Sequence, residues 1–384
     1  MRIGILTLPL HTNYGGILQA YALQQVLQDM GHEAVVIDEE KQFHFSLKRR
    51  IEMYIKGKVK RLLQGKNAII YSPEYYKQLW AARTKYTGQF IADHITRRVV
   101  ANVAEITEGE FDAFVVGSDQ IWRARYAQSF PGIGNAFLLF TRGWNVKRIS
   151  YAASFGTDEW EYSKTDTVDC AIMAWAFDAI SVRESSAVTL CREHLGVDAT
   201  HVVDPTLLLD THDYIKLIKK DTPKSAGSLM CYILNNRKDT EDIVASISNA
   251  KKIQPFHTNS RTEDHKATLE ERIQPPVEEW LQGFYNAEFI ITDSFHACIF
   301  AMLFKKPFIA IGNKSRGMAR FESLLQMFGL ENRLVSSYED YKQKEAILLQ
   351  PINYEHVYHI LEKKRDEAIK FLQQALSFDD SKKD

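Results

Sequence analysis

The residues most able to do chemistry stand where apolar runs give way to short polar turns. In Asp293-Ser294-Phe295-His296, the run 289–292 ends and an apolar segment closing at Phe304 begins. That spacing predicts strand, turn and helix, with His296 in the first helical turn and Ser294 just before it. Histidine titrates nearest neutrality, so it can act as acid, base or phosphate ligand. The carboxyl ends of strands are where open α/β sheets gather ligands. A buried histidine bonded to backbone is the plainer alternative.

Gly117-Ser118-Asp119-Gln120-Ile121-Trp122 follows a second apolar run. Asp119 can serve as general base for a sugar hydroxyl, with Ser118 and Gln120 beside it and Trp122 stacking on a sugar face. Ser and Asp are also ordinary helix caps. Arg183 in Ser181-Val182-Arg183-Glu184 ends a third run, and its planar fork suits a carboxylate or phosphate, or an ion pair with Glu184. Asn13-Tyr14-Gly15-Gly16 lies between a first strand and a first helix, where two glycines permit close backbone approach and free amides attract anions. The loop from Gly312 to Arg320 carries Lys314, Ser315 and Arg316 with two glycines, enough to wrap an anion or to form a solvated basic loop. His257, His265 and His356 lack metal-ligand spacing, and no metal site is expected.

Positioning these groups requires parallel sheets covered by helices. Strands are expected at 2–6, 33–37, 113–116, 148–152, 179–182 and 200–203, then at 229–234, 252–256, 289–292 and 307–311. Pro205 in Val203-Asp204-Pro205-Thr206 breaks the pattern. The predicted division is an α/β domain over 1–204 with a variable helical insert at about 40–105, and a second over 205–352. A helix over 353–378 with Val357, Ile360, Leu361, Ala368, Ile369 and Leu372 inward crosses back onto the first domain, and 379–384 form a disordered tail. Two doubly wound, Rossmann-like domains facing a cleft give a GT-B-like architecture.

The 384 residues are 45% hydrophobic and 25% charged, the balance of a globular chain. Lys plus Arg (48) nearly cancel Asp plus Glu (49), which excludes a global field for nucleic acid. No signal peptide or membrane span is expected, and the four scattered cysteines read as free thiols in a reducing, cytoplasmic setting. One segment departs from the charge balance. Residues 41–66 hold nine bases and one acid, Glu52. Leu47, Ile51, Tyr54, Ile55, Val59, Leu62 and Leu63 recur there at helical spacing. Such a helix ordinarily packs its stripe onto its own domain; the alternative is peripheral contact with the inner membrane face.

Taken in order, Asn13-Tyr14-Gly15-Gly16 with Leu18-Gln19-Ala20-Tyr21-Ala22-Leu23, Gly117 to Trp122, Ser181-Val182-Arg183-Glu184, Asp204-Pro205-Thr206 and Asp293-Ser294-Phe295-His296 resemble the polysaccharide pyruvyltransferase family. The resemblance covers roughly 1–335, apart from about 40–105. It implies transfer of a pyruvyl unit from phosphoenolpyruvate to a sugar, free or lipid-linked, forming a cyclic ketal and releasing phosphate, with no cofactor beyond that donor. It further implies that Arg183 and His296 hold the donor, assisted by Lys314–Arg316. Asp119 and Asn13–Gly16 then face the acceptor. Some members carry an acid just after the Asn-x-Gly turn where this chain has Gly16 and Ile17, so the acceptor sugar does not carry over. A nucleotide-sugar glycosyltransferase of the same fold and a non-catalytic anion- or glycan-binding protein are the competing readings.

Overall fold

A computed structural model describes residues 1–65, 70–129, 132–235, 237–262, 264, 267–312 and 317–377. The expectations for Lys314, Ser315, Arg316 and the 379–384 tail lie outside the described residues.

Residues 2–201 build a seven-stranded, wholly parallel sheet: β1 (Arg2–Leu6), β2 (Glu33–Glu39), β3 (Arg97–Val100), β4 (Ala113–Val116), β5 (Lys147–Ala153), β6 (Ala179–Val182) and β7 (Thr200–His201). Their order is β3-β2-β1-β4-β5-β6-β7. A second parallel sheet contains β8 (Leu229–Tyr232), β9 (Pro255–His257), β10 (Phe289–Thr292), β11 (Phe308–Ile311) and β12 (Leu334–Val335), ordered β12-β11-β10-β8-β9. Both orders reverse direction once, between β1 and β4 and between β8 and β10. Ligands of doubly wound sheets sit at such reversals, beyond the strands' carboxyl ends.

Helices α1 (Tyr14–Asp29), α2 (Leu47–Gln64), α3 (Pro73–Arg83), α4 (Lys85–His94), α5 (Lys164–Ala174) and α6 (Ser185–Leu190) accompany the first sheet. After α7 (Thr211–Ile215) the second sheet carries α8 (Lys238–Lys251), α9 (Val277–Asn286), α10 (Phe295–Leu303), α11 (Met318–Met327) and α12 (Tyr338–Leu348). The last helix, α13 (Tyr354–Leu376), does cross between the halves. Its Tyr354 hydroxyl donates to Ala301 O at 3.3 Å, and Lys147 Nζ at the start of β5 donates to Ala375 O at 3.4 Å. Val357, Leu361, Ala368 and Leu372 are buried along its inner stripe, as the period predicts.

One apolar core runs through both halves, joining β1, α1 and β5 to β8, α9, α10 and α13. The aromatic contact at its centre is Tyr14 against Trp280, ring centroids 5.2 Å apart. This shared core fixes the two sheets relative to each other, and therefore fixes the two loop clusters that face across the cleft.

Strands β3 and β12 were not expected. Arg97-Arg98-Val99-Val100 sits at a sheet edge with a mixed burial pattern, and β12 has two residues. Neither gives a legible periodicity. Where the sequence predicted an inward stripe on α2, Leu47, Ile51, Tyr54, Ile55, Val59, Leu62 and Leu63 are exposed, and among the described side chains of that helix only Met53 and Gly57 are buried. The four cysteines are free and buried. Among the described residues no helix is long and apolar enough to cross a membrane.

Candidate active site

Asp204, following β7, is the hub on which the site is built. It is buried, and its Oδ1 accepts from Thr206 N at 3.0 Å and Thr206 Oγ1 at 2.7 Å, an Asx-type cap fixed by Pro205 between them. Its Oδ2 accepts from Arg183 Nη1 at 2.7 Å and Ser118 Oγ at 3.0 Å. His296 Nε2 stands 3.5 Å from the same oxygen, within ionic reach but not aligned as a hydrogen bond. Burial opposes the Asp204 charge. His296 and Arg183, with the Thr206 hydroxyl, outweigh it and hold the carboxyl far below the usual carboxylate range.

Four elements deliver these partners. Arg183 leaves the end of β6, Ser118 the end of β4, and His296 the first turn of α10 after β10. Arg183 Nη1 also donates to Ser118 Oγ at 3.2 Å. Burial works against the Arg183 charge, but Asp204, Glu184 and Asp119 together hold it firmly protonated. Its Nε and Nη2 are buried without a hydrogen-bond partner among the described residues, and so is His296 Nε2. Nη2 lies 3.7 Å from Asp119 Oδ1. Orphan buried donors are costly, so each marks a place where an acceptor belongs.

A second guanidinium adds to this field. Arg183 Cζ lies 4.5 Å from the Phe295 ring centroid and Arg320 Cζ 5.5 Å from it. Burial, and then the neighbouring charge of Arg183, push Arg320 down to about 10. Two like charges gathered on one ring repel in the free protein and favour an anion between or beside them. Arg320 reaches this position because Gly317, with φ +89°, opens α11 against the 156 loop. A β-carbon at 317 would lie 1.9 Å from Gly156 O. Beneath Arg183 the buried Glu184 accepts from Ser154 Oγ, and burial raises its carboxyl despite the cations nearby.

The opposite wall comes from the first-sheet reversal. Asn13 Nδ2 donates to Asp119 Oδ2 at 3.2 Å, tying the loop after β1 to the loop after β4. Asp119 has φ +58°, a left-handed conformation uncommon for aspartate, and its Oδ1 accepts from Gln120 N at 2.9 Å. Neither α1 nor α10 has a side-chain cap on its first amides. Two helix amino termini, each favouring negative charge, therefore border the cleft. Across it, the Asp293 carboxylate accepts from Leu234 N at 2.6 Å and Asn235 N at 2.9 Å and so clamps the second reversal.

Among the residues expected from sequence, Asp119, Arg183, Ser118 and His296 converge. Asn13 is exposed at the mouth, while Ser294 and Gly16 are half-buried beside it. Three others have structural duties. Trp122 cannot stack on a sugar: it is fully buried, parallel to Phe137 at 4.5 Å, with Nε1 donating to Ala136 O at 3.0 Å. Tyr14 is likewise buried, and its hydroxyl donates across the halves to Pro275 O at 2.6 Å. Gln120 Oε1 is engaged as the acceptor for Arg123 Nη1 at 2.8 Å. Asp204 was legible as part of the Asp204-Pro205-Thr206 motif at a domain junction but not as a site residue, and Arg320 only as the last cation of a loop.

Two parallel doubly wound sheets, joined by a returning helix around this polar cleft, give the chain a GT-B-like fold. The sequence profile described as polysaccharide pyruvyl transferase matches residues 13–315, and the chain belongs to that family. Among solved structures it is similar to Arabidopsis thaliana UGT89C1 complexed with UDP-L-rhamnose, at 10% identity and TM-score 0.51, covering 97% of this chain and 99% of that one. Similarity extends to the S. aureus MnaA–UDP co-structure, at 13% identity and TM-score 0.49 over 98% and 97% of the two chains. It extends also to Acinetobacter baumannii MurG, at 12% identity and TM-score 0.41 over 97% and 99%. Identities this low concern the fold alone. No curated protein sequence matches the chain.

Proposed function

We propose that the chain moves a pyruvyl unit from phosphoenolpyruvate onto two hydroxyls of a sugar, forming a cyclic ketal and releasing phosphate. The observation that carries this reading is the buried cluster of Arg183, Arg320 and His296, in which the unpartnered donors of Arg183 and His296 suit a small donor bearing two anionic groups. Family membership supports the transferase class.

In this reading Arg183 and Arg320 take the carboxylate and phosphate, and His296, 3.5 Å from the Asp204 carboxylate, acts as the acid that gives its proton to the donor's methylene carbon. C2 gains oxocarbenium character, and one sugar hydroxyl adds there, losing its proton to Asp119. The C2–O bond to phosphate then breaks, a second hydroxyl closes the ketal, and its proton leaves with the phosphate. One proton enters the new methyl group, two leave the sugar and one departs on phosphate, so the sum closes when the remaining proton restores His296. The cations and helix termini stabilise the departing dianion.

Thermal-shift titration tests the donor. A saturable rise in melting temperature with phosphoenolpyruvate, larger than that with inorganic phosphate and lost in Arg183→Ala and His296→Ala, is expected. No response to phosphoenolpyruvate beside a clear response to a nucleoside diphosphate sugar would replace this reading with glycosyl transfer.

A further inference from the structure

Helix α2 is turned the wrong way for a helix that belongs only to its own domain. An amphipathic surface helix ordinarily lays its apolar stripe on the core. Here the buried residues are Met53 and Gly57, one turn apart on one side. At about 3.6 residues per turn, Ile51, Ile55 and Leu62 lie roughly half a turn round from them. That outward face is strongly exposed, with Leu62 at 85% and Leu63 at 81%. The helix therefore anchors by its narrow side and presents its broad apolar side to the surroundings.

The charge around that face defines what fits it. Within Leu47–Gln64 there are seven bases and one acid. Lys48 and Lys58 stand within the apolar arc and Arg50 and Arg61 on its flank, all four exposed. A protein partner of this apolar face would have to bury those cations. A bilayer surface does not, because long basic side chains reach back to the headgroups while the aliphatic ones enter the acyl boundary. Negative headgroups complement the bases. The insert also leaves from the carboxyl end of β2. In a parallel sheet that is the same edge from which the β1 and β4 loops build the cleft.

We propose that α2 docks the protein peripherally on an anionic lipid bilayer, with Ile51, Ile55, Leu62 and Leu63 inserted and Lys48, Lys58, Arg50 and Arg61 at the headgroups. Docking at this edge keeps the cleft beside the membrane. The proposal stands apart from the pyruvyl reading and does not depend on its donor.

Flotation of the full chain with vesicles tests it, using phosphatidylglycerol mixed with phosphatidylcholine against phosphatidylcholine alone. The chain is expected to float with the anionic vesicles and to remain below with the neutral ones. Binding should weaken about five-fold for each basic residue changed to Gln on the exposed face, and fall further in high salt. Ile55→Asp/Leu62→Asp should abolish flotation while the melting curve stays that of the parent, since both side chains are exposed. Absence of flotation with anionic vesicles would overturn the proposal, as would flotation unaffected by these substitutions. So would a solution dimer that Ile55→Asp/Leu62→Asp dissociates, because a second copy would then cover the face.

Discussion

The imidazole of His296 lies so close over the backbone of Gly15 that a β-carbon at residue 15 would fall 2.1 Å from Nδ1. The two residues belong to different halves of the chain, one opening α1 and the other in the first turn of α10. Glycine at 15 is what lets the histidine seat against Asp204.

Gly15→Ala should therefore act as a displaced His296. A shift on the order of 1 Å at a reacting group costs about 100-fold, and that is the expected fall in kcat/KM. Combining it with His296→Ala should add little to the loss from His296→Ala alone, since both remove one function. Steady-state kinetics of the two single variants and the double variant decides this; additive losses would show that Gly15 acts elsewhere.

Asp204→Asn removes the shared anchor of Arg183 and His296. Breaking a buried pair from one side costs about 3–5 kcal/mol, which urea unfolding at neutral pH should register. Because the folded carboxyl is held low, the parent's advantage is full above the ordinary carboxylate range near pH 4 and is lost as pH falls below it. Unfolding curves of the two proteins should stay apart from neutrality to about pH 5 and converge only in stronger acid.

Glu39, at the end of β2, shows the opposite sign. Burial raises it from 4.5 to about 7, although Val103 N donates to it. A raised carboxyl favours the fold while protonated, so stability falls as pH rises from about 4.5 to about 7. Glu39→Gln should match the parent at pH 4 and exceed it at pH 8. With solvent screening of a half-buried group, the gain is about 1 kcal/mol or less. Melting temperatures across that range check it, and parallel curves would count against the shift.

Trp122→Phe separates structural from ligand roles at the motif next to Asp119. The loss of the bond to Ala136 O and of buried ring volume should cost about 1–3 kcal/mol in stability. The acceptor KM should stay within about two-fold, because no part of the indole reaches the cleft. A selective rise in KM at unchanged stability would return Trp122 to the acceptor surface.

These contrasts mark how far the sequence could be read. β1, β4, β6 and β10 fall where alternating or continuous apolar runs placed them, because a buried parallel strand writes its own pattern. The polar residues just after them, Ser118, Asp119, Arg183 and His296, gather at one cleft for the same reason. Which of their neighbours face inward is a non-local matter. Trp122 and Tyr14 read as ligand groups because an aromatic beside a polar turn looks alike whether it meets a sugar or the core. Arg320 joins the site through a helix whose approach depends on Gly317, and Asp204 through a cap that any Asp-Pro-Thr turn could supply. The orientation of α2 was equally invisible, since a stripe has the same period facing in or out.

The returning helix has a consequence for the order in which the molecule is made. Ala375, near the end of α13, bonds to Lys147 at the start of β5 across a separation of 228 residues. Phe371 of the same helix lies against Tyr151 in the middle of that strand. While the nascent chain emerges amino end first, the first sheet must wait with this face bare until the second half has been synthesised. The seven strands thus become a finished half only after residues 371–375 have been made and have folded back onto β5.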